Sequence, residues 1–506
     1  MRLSRLFFGG LVAILAFHLQ AAQASDYPLA RIHFLGTSQF SANTNSERLA
    51  RIWTLPESLQ LRAQTLEKLS RWPEKFLDGQ SFSNRFALIR PLLDDVVQSE
   101  SVLEWRGLPD GQSQLVLAIQ LSDERARLWD TNLWQFLHAS NIASPPDQVR
   151  MASEGKWFLL GIGSPKLPLF SNVLSRIRRD GRPGPALKTN WLEADIDWPK
   201  LQPWLPLSNS WLKLARTEIQ LNNRDEYLRT TVRAFYPKAI GWKFEPWQVP
   251  TNLVRSPLIS FSASQNLAAL ANDVPLFRRA QLNPLASQLY LWSRPDVPFQ
   301  SLMAVLAKDA GKTLQRLGVL WPATFNADVK AHFTGEIFWS TNQHEILWRG
   351  LPVIVPFLAA MKDKSGEFFV GGLFPEIPGT NPPPAELLGQ IMGRTNLVYY
   401  QWEVTQNRLM QWRVLDQLRL IAVPLAGGPN SGPENVSFVS MPEQKWSAAL
   451  APLLGNTVTE ITLTAPDQLL LVRKSHSGFT GFELMQLAKW LNRPDFPSPI
   501  FPRPKR

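Results

Sequence analysis

Three carboxylates stand at every second position of the stretch WLEADIDW, as Glu193, Asp195 and Asp197. Alternate side chains of a β-strand share one face, so these three would form an acidic row. Two carboxylates flanking a glycosidic bond can hydrolyse it, one protonating the leaving oxygen while the other attacks or activates water. That chemistry needs roughly 5–9.5 Å between the groups and one carboxyl kept neutral by burial. Same-face neighbours on a strand lie about 6.6–7 Å apart at Cα, so the spacing permits it. The flanking sequence points elsewhere. Leu192, Ala194, Ile196 and Trp198 alternate with the acids, the pattern of a strand with one apolar and one wet face. LARTEIQL (214–221) and EYLRTTVRAF (226–235) alternate in the same way and carry Arg216, Arg229 and Arg233, with Asn222–Asp225 as the turn between them. Acids on such a sheet meet arginines, which lower carboxylate pKa values instead of raising one. Glu193, Asp195 and Asp197 are the candidate catalytic residues, and a solvated ion-pair face is the expectation for them.

Other chemistry finds less support. The histidines after the first 24 residues, His33, His138, His332, His344 and His476, make no H-E-x-x-H or H-x-H spacing, and the chain has no cysteine. His332 and His344 share an expected hairpin with Glu336 and Glu345, but its register holds the two imidazoles far apart. Neither a metal site nor a cofactor is expected. Ser210–Lys213 matches S-x-x-K, yet no K-T-G partner follows, and Lys188-Thr189-Asn190 is only a near miss. No G-x-S-x-G, Walker A or G-x-G-x-x-G motif occurs. The 20 tryptophans are unusual, because flat amphipathic rings serve sugar stacking, membrane interfaces and protein contacts. Trp72, Trp204, Trp211, Trp242 and Trp247 stand in polar or proline-rich contexts. Of these, Trp242 and Trp247 with Lys243 form the candidate aromatic–basic binding surface.

These residues must be positioned by a large scaffold. A length of 506 residues, 44% hydrophobic and 19% charged, predicts more than one domain with real cores. Residues 1–24 read as a signal peptide: Arg2 and Arg5, an apolar run at 6–17, then Ala22-Gln23-Ala24 before a mature start at Ser25. No later segment is apolar for long enough to span a membrane, so no transmembrane segment is expected once the leader is gone. Loss of Arg2 and Arg5 lowers the net charge from +11 to +9. That balance favours acidic partners, while the lack of any nucleic-acid-binding motif excludes nucleic acid as the expected one.

Pro246, Pro250 and Pro257 mark residues 251–257 as a connector between domains at 25–250 and 258–492, and residues 493–506 form a Pro-rich basic tail. Short apolar strands run into capped helices at Ser122, Ser262 or Ser264, Thr405 and Ser440. Strands 458–465 and 468–474 flank the turn Pro466-Asp467, and strands 332–339 and 344–350 form a second hairpin. This grammar predicts α+β architecture: two similar-sized domains, each an antiparallel sheet with helices on one face, with duplication as their source. The expected protein is periplasmic or secreted, a non-catalytic binding or structural component of the bacterial envelope that contacts an envelope protein or acidic polymer. Two other functions fit the same residues: a carboxylate-dependent hydrolase of a wall or glycan polymer, and a binder of anionic polysaccharide or lipid.

Overall fold

The alternating stretches become antiparallel strands. A computed structural model of the chain describes residues 27–40, 47–71, 86–107, 112–139, 148–201, 215–224, 226–266, 287–295, 300–332, 335–342, 344–351, 354–377, 379, 381–425, 442–494 and 496–497. The expected leader, the expected cleavage residues Ala22, Ala24 and Ser25, the S-x-x-K match, Trp72, Trp204, Trp211, Ser440 and most of the tail lie outside the described residues. Contacts divide the chain into two units, Met1–Pro237 with Gln486–Arg506, and Lys238–Met485. Among the described residues no helix is long and apolar enough to cross a membrane.

The first unit contains β1 (Tyr27–Phe34), β2 (Ser101–Gly107), β3 (Ser113–Gln120), β4 (Val149–Glu154), β5 (Trp157–Gly163), β6 (Asn190–Asp197), β7 (Arg216–Arg224) and β8 (Tyr227–Phe235). They pair antiparallel in the order β4-β5-β3-β2-β1-β6-β7-β8. The expectation of helices on one face fails here, because β3 is a continuous apolar run, LVLAI, buried on both sides. Leu117 and Ile119 pack with Ile89, Leu92, Trp129 and Leu133 of the helices Phe86–Gln98 and Asp123–Ala139. Val116 and Ala118 face the other way, against Phe170, Val173 and Ile177 of the helix Leu169–Asp180. Ser122 accepts the Arg125 N–H (3.4 Å) and so caps the helix that follows β3, as its sequence predicts.

The second unit contains β9 (Ser260–Gln265), β10 (Gln288–Ser293), β11 (Ser301–Leu306), β12 (Glu336–Ser340), β13 (Glu345–Arg349), β14 (Phe357–Asp363), β15 (Gly366–Gly372), β16 (Leu397–Val404), β17 (Asn456–Ala465) and β18 (Gln468–Ser475). Their order is β12-β13-β14-β15-β11-β10-β9-β16-β17-β18, again antiparallel. His332 closes the helix Ala310–His332 and is not on the expected hairpin, which starts only after Gly335 turns the chain at φ +88°. Residues 251–257 belong to this unit: Leu253 and Val254 donate backbone N–H groups to Pro250 O, and Val254 lies in the core.

Without the β12–β13 hairpin, the second sheet repeats the order of the first. The registers also agree. One row of paired residues crosses the first unit as Arg150, Gly161, Val116, Glu104, Arg31, Asp195, Glu218 and Arg233. Its counterpart crosses the second as Phe357, Gly372, Leu302, Trp292, Phe261, Trp402, Val458 and Lys474. A bulge fixes the alignment: the extra residue is Trp191 on β6 and Val398 on β16, each four positions before its member of the row.

Candidate functional site

The register answers what the acidic strand is for. Asp195 sits in a charged row that runs Glu104, Arg31, Asp195, Glu218, Arg233 across five strands. Arg216 donates to both Asp195 oxygens (2.9 and 2.7 Å) and to Glu218 (3.1 Å). The Asp195 hydrogen bond holds the Arg216 guanidinium above its ordinary pKa, against the opposing effect of burial. Arg233 reaches Glu218 at 4.0 Å, whereas Arg229 stands opposite Asn222. Asp197 accepts the Lys200 backbone N–H (3.2 Å) and pairs with its ammonium (2.7 Å), opening the one-turn helix Trp198–Leu201. Glu193 accepts from the Asn190 amide at 2.6 Å. Each candidate acid therefore has a short polar partner. The row ends at buried Glu104, which accepts from Arg176 (2.7 Å) and lies 3.8 Å from Arg31.

The aromatic–basic candidates divide. Lys243 is exposed and Trp242 half-buried. Trp247 is a core residue, 7% exposed, and it is not a surface residue as its proline-rich context predicts. Its ring meets Tyr290 edge-on (6.2 Å) and its indole N–H donates to Arg394 O (3.2 Å). The segment around it covers the face of the second sheet formed by Phe261, Tyr290 and Trp292. Clustered prolines disfavour regular structure but say nothing of which surface an extended segment covers.

Two polar constellations had no local signature. In the first unit, buried His33 donates from Nε2 to Glu100 Oε1 (2.9 Å) across 67 positions of sequence. Glu100 lines a cleft of about 400 Å³ with Ser38, Gln39, Ser99, Gln120, Leu121 and Ser122. The second unit buries Glu403, which accepts the Gly481 N–H at 2.7 Å. Beside it Arg408 donates to Ser293 Oγ (2.7 Å) and Gln411 Oε1 (2.6 Å), with its guanidinium 4.8 Å from the Trp412 ring. Burial raises the Glu403 carboxyl, with Gly481 and Arg408 opposing. Burial lowers Arg408 to about 10, with Glu403 opposing. Glu403 and the helix Thr405–Leu425, which carries Arg408 and Gln411, meet Ser293 and Gly481 from distant parts of the chain, so spacing rules miss the cluster.

Among the described residues no group of three His, Asp or Glu side chains could hold a metal ion. No family model, no curated protein and no solved structure matches the chain.

Proposed function

We propose that the chain is an exported, non-catalytic binding or structural protein of the bacterial cell envelope, built from a duplicated α+β unit. The observation that carries the non-catalytic role is the two-pronged Arg216–Asp195 pair within the charged row. A general acid needs a carboxyl kept neutral, whereas an arginine bonded to both oxygens favours the charged form. Duplication is supported by the matched strand order, registers and bulges of the two units. The covering helices also agree, since Asp123–Ala139 follows β3 and Ala310–His332 follows β11, and both pack on corresponding faces. Export to the periplasm or beyond rests on the leader pattern at residues 1–24, and a mature charge of +9 suits an acidic polymer or an acidic face of an envelope protein.

A double-mutant cycle on Asp195→Asn and Arg216→Gln tests the architectural role. Both side chains are close to half exposed, so solvent screens the pair. The expected coupling is about 0.2–1 kcal/mol, with each single substitution mildly destabilising. A rise in stability of about 1 kcal/mol or more in Asp195→Asn would count against it, because carboxylates held for catalysis tend to cost stability.

A further inference from the structure

The matched registers let one unit interpret the other. Gln288 stands four positions before Trp292 on β10, and Glu100 stands four before its counterpart Glu104 at the entry to β2. Ser287 and Ser99 precede them. Leu306 lies four positions after Leu302 on β11, as Gln120 lies four after Val116 on β3. In the second unit this corner is filled by the extended stretch Glu245–Gln248. Ser287 Oγ donates to Glu245 Oε2 (2.9 Å), Gln288 Nε2 donates to Pro246 O (2.9 Å), and the Gln248 N–H donates to Gln288 Oε1 (2.9 Å). The Gln248 side chain and Leu306 both lie within 3.2 Å of where a Cβ on Gly366 would stand, so the stretch crosses the ends of β10 and β11.

In the first unit the corresponding residues Ser99, Glu100 and Gln120 line the open cleft of about 400 Å³. This volume is within the range of ligand sites. The cleft has a built wall. Gly36 takes φ +86° where a Cβ would fall 2.3 Å from Gln98 O, and Ser38 Oγ donates to the same carbonyl at 2.8 Å. The side chains of Gln39, Ser99 and Gln120 carry no hydrogen bond among the described residues.

We infer that this cleft binds an extended basic peptide segment of a partner protein, laid across the ends of β2 and β3 as Glu245–Gln248 lies across β10 and β11. The inference deepens, and rests on, the binding role proposed above, and it concerns a local contact: the net charge favours an acidic partner, while the carboxylate of this one cleft takes a basic segment of it. The corner differs from its counterpart in ways that set the ligand. Glu100 replaces Gln288, so a carboxylate accepts the peptide N–H and attracts a cation. Gln120 replaces Leu306, so the neighbouring ligand side chain is polar. His33 holds Glu100 from behind, which fixes its orientation before a ligand arrives. Recognition of extended peptides commonly combines hydrogen bonds to main-chain polar groups with side-chain pockets that set specificity.

Two capped hexapeptides probe the site in calorimetric titrations of the full mature chain. One copies the internal occupant, EPWQVP, and the other is KPWQVP. The expected result is saturable binding of KPWQVP, about tenfold tighter than EPWQVP, with that preference abolished in Glu100→Gln. Asp195→Asn, outside the cleft, should leave both affinities unchanged. Binding of neither peptide up to about 2 mM, near the weak end of specific recognition, would overturn the inference. So would a preference that survives Glu100→Gln in a protein whose circular dichroism matches the parent. Neither outcome touches the non-catalytic role. That role fails separately if mass spectrometry shows peptide cleaved during the titration.

Discussion

Glu403 is 2% exposed, and its carboxylate accepts from the Gly481 N–H at 2.7 Å and the Gln401 amide at 3.3 Å. Its pKa in the folded chain is raised above 4.5, chiefly by burial. The folded state therefore holds this proton more tightly than the unfolded state does. The stabilising contribution is complete below the unfolded value and is lost as pH rises through the folded one. Glu403→Gln removes that dependence. Urea unfolding of the two proteins at several pH values should show the parent losing stability relative to the variant as pH rises above 4.5. A constant difference would mean that the Gly481 and Arg408 interactions cancel burial. Residues of this kind were not legible in the sequence, since Glu403 and Gly481 meet only through the fold. Asp195 was legible, because its partner Arg216 lies on the next strand in sequence and the alternation fixes which face they share. Trp247 was misplaced because its burial comes from the sheet face it covers, and local composition is silent about that.

Asp95 joins two helices of the first unit. Its carboxylate accepts from Arg125 (2.7 Å) and from the indole N–H of buried Trp129 (2.8 Å), so Phe86–Gln98 and Asp123–Ala139 are fixed against each other. Asp95→Ala leaves a buried indole N–H and a guanidinium without this acceptor and should cost about 2–3 kcal/mol in denaturant unfolding. Asp94→Ala, which loses only a pair with Arg90 one turn away on the same helix, should cost under about 0.5 kcal/mol. Equal losses would show that the interhelical contact is not special. The elements themselves were readable where one face is wet: β6, β8 and the β17–β18 hairpin fall where alternation and Pro466-Asp467 put them. Strand β7 runs on to Arg224, past the expected turn, and β8 resumes at Tyr227 directly after Glu226 at φ +62°. The two-faced burial of β3 was written in its unbroken LVLAI, which the expectation of one-sided sheets passed over.

The whole molecule carries one strand plan twice, and along the same row four charged residues of the first unit have apolar counterparts in the second, the fifth pair being Arg233 and Lys474. In the first unit that row is Glu104, Arg31, Asp195, Glu218 and Arg233, and in the second it is Trp292, Phe261, Trp402, Val458 and Lys474. Equivalent positions that hold charge in one unit and apolar side chains in the other show that the strand plan does not depend on what this row carries. Strand order depends on pairings far apart in sequence, so the sequence shows the shared grammar of the halves without their alignment. The proposed export makes a direct prediction: the protein, expressed with its own N-terminus in a bacterium, should begin at Ser25 on N-terminal sequencing, and a retained Met1 would contradict cleavage. The central claim is that the carboxylates of β6 are architecture and the chain does not hydrolyse its partners. It is tested most directly by incubating the mature chain with purified wall and glycan polymers and measuring reducing ends released. The expected result is release no greater than the blank, for the parent and for Glu193→Gln or Asp195→Asn alike. Release by the parent that disappears in either variant would contradict the claim and make β6 a catalytic strand.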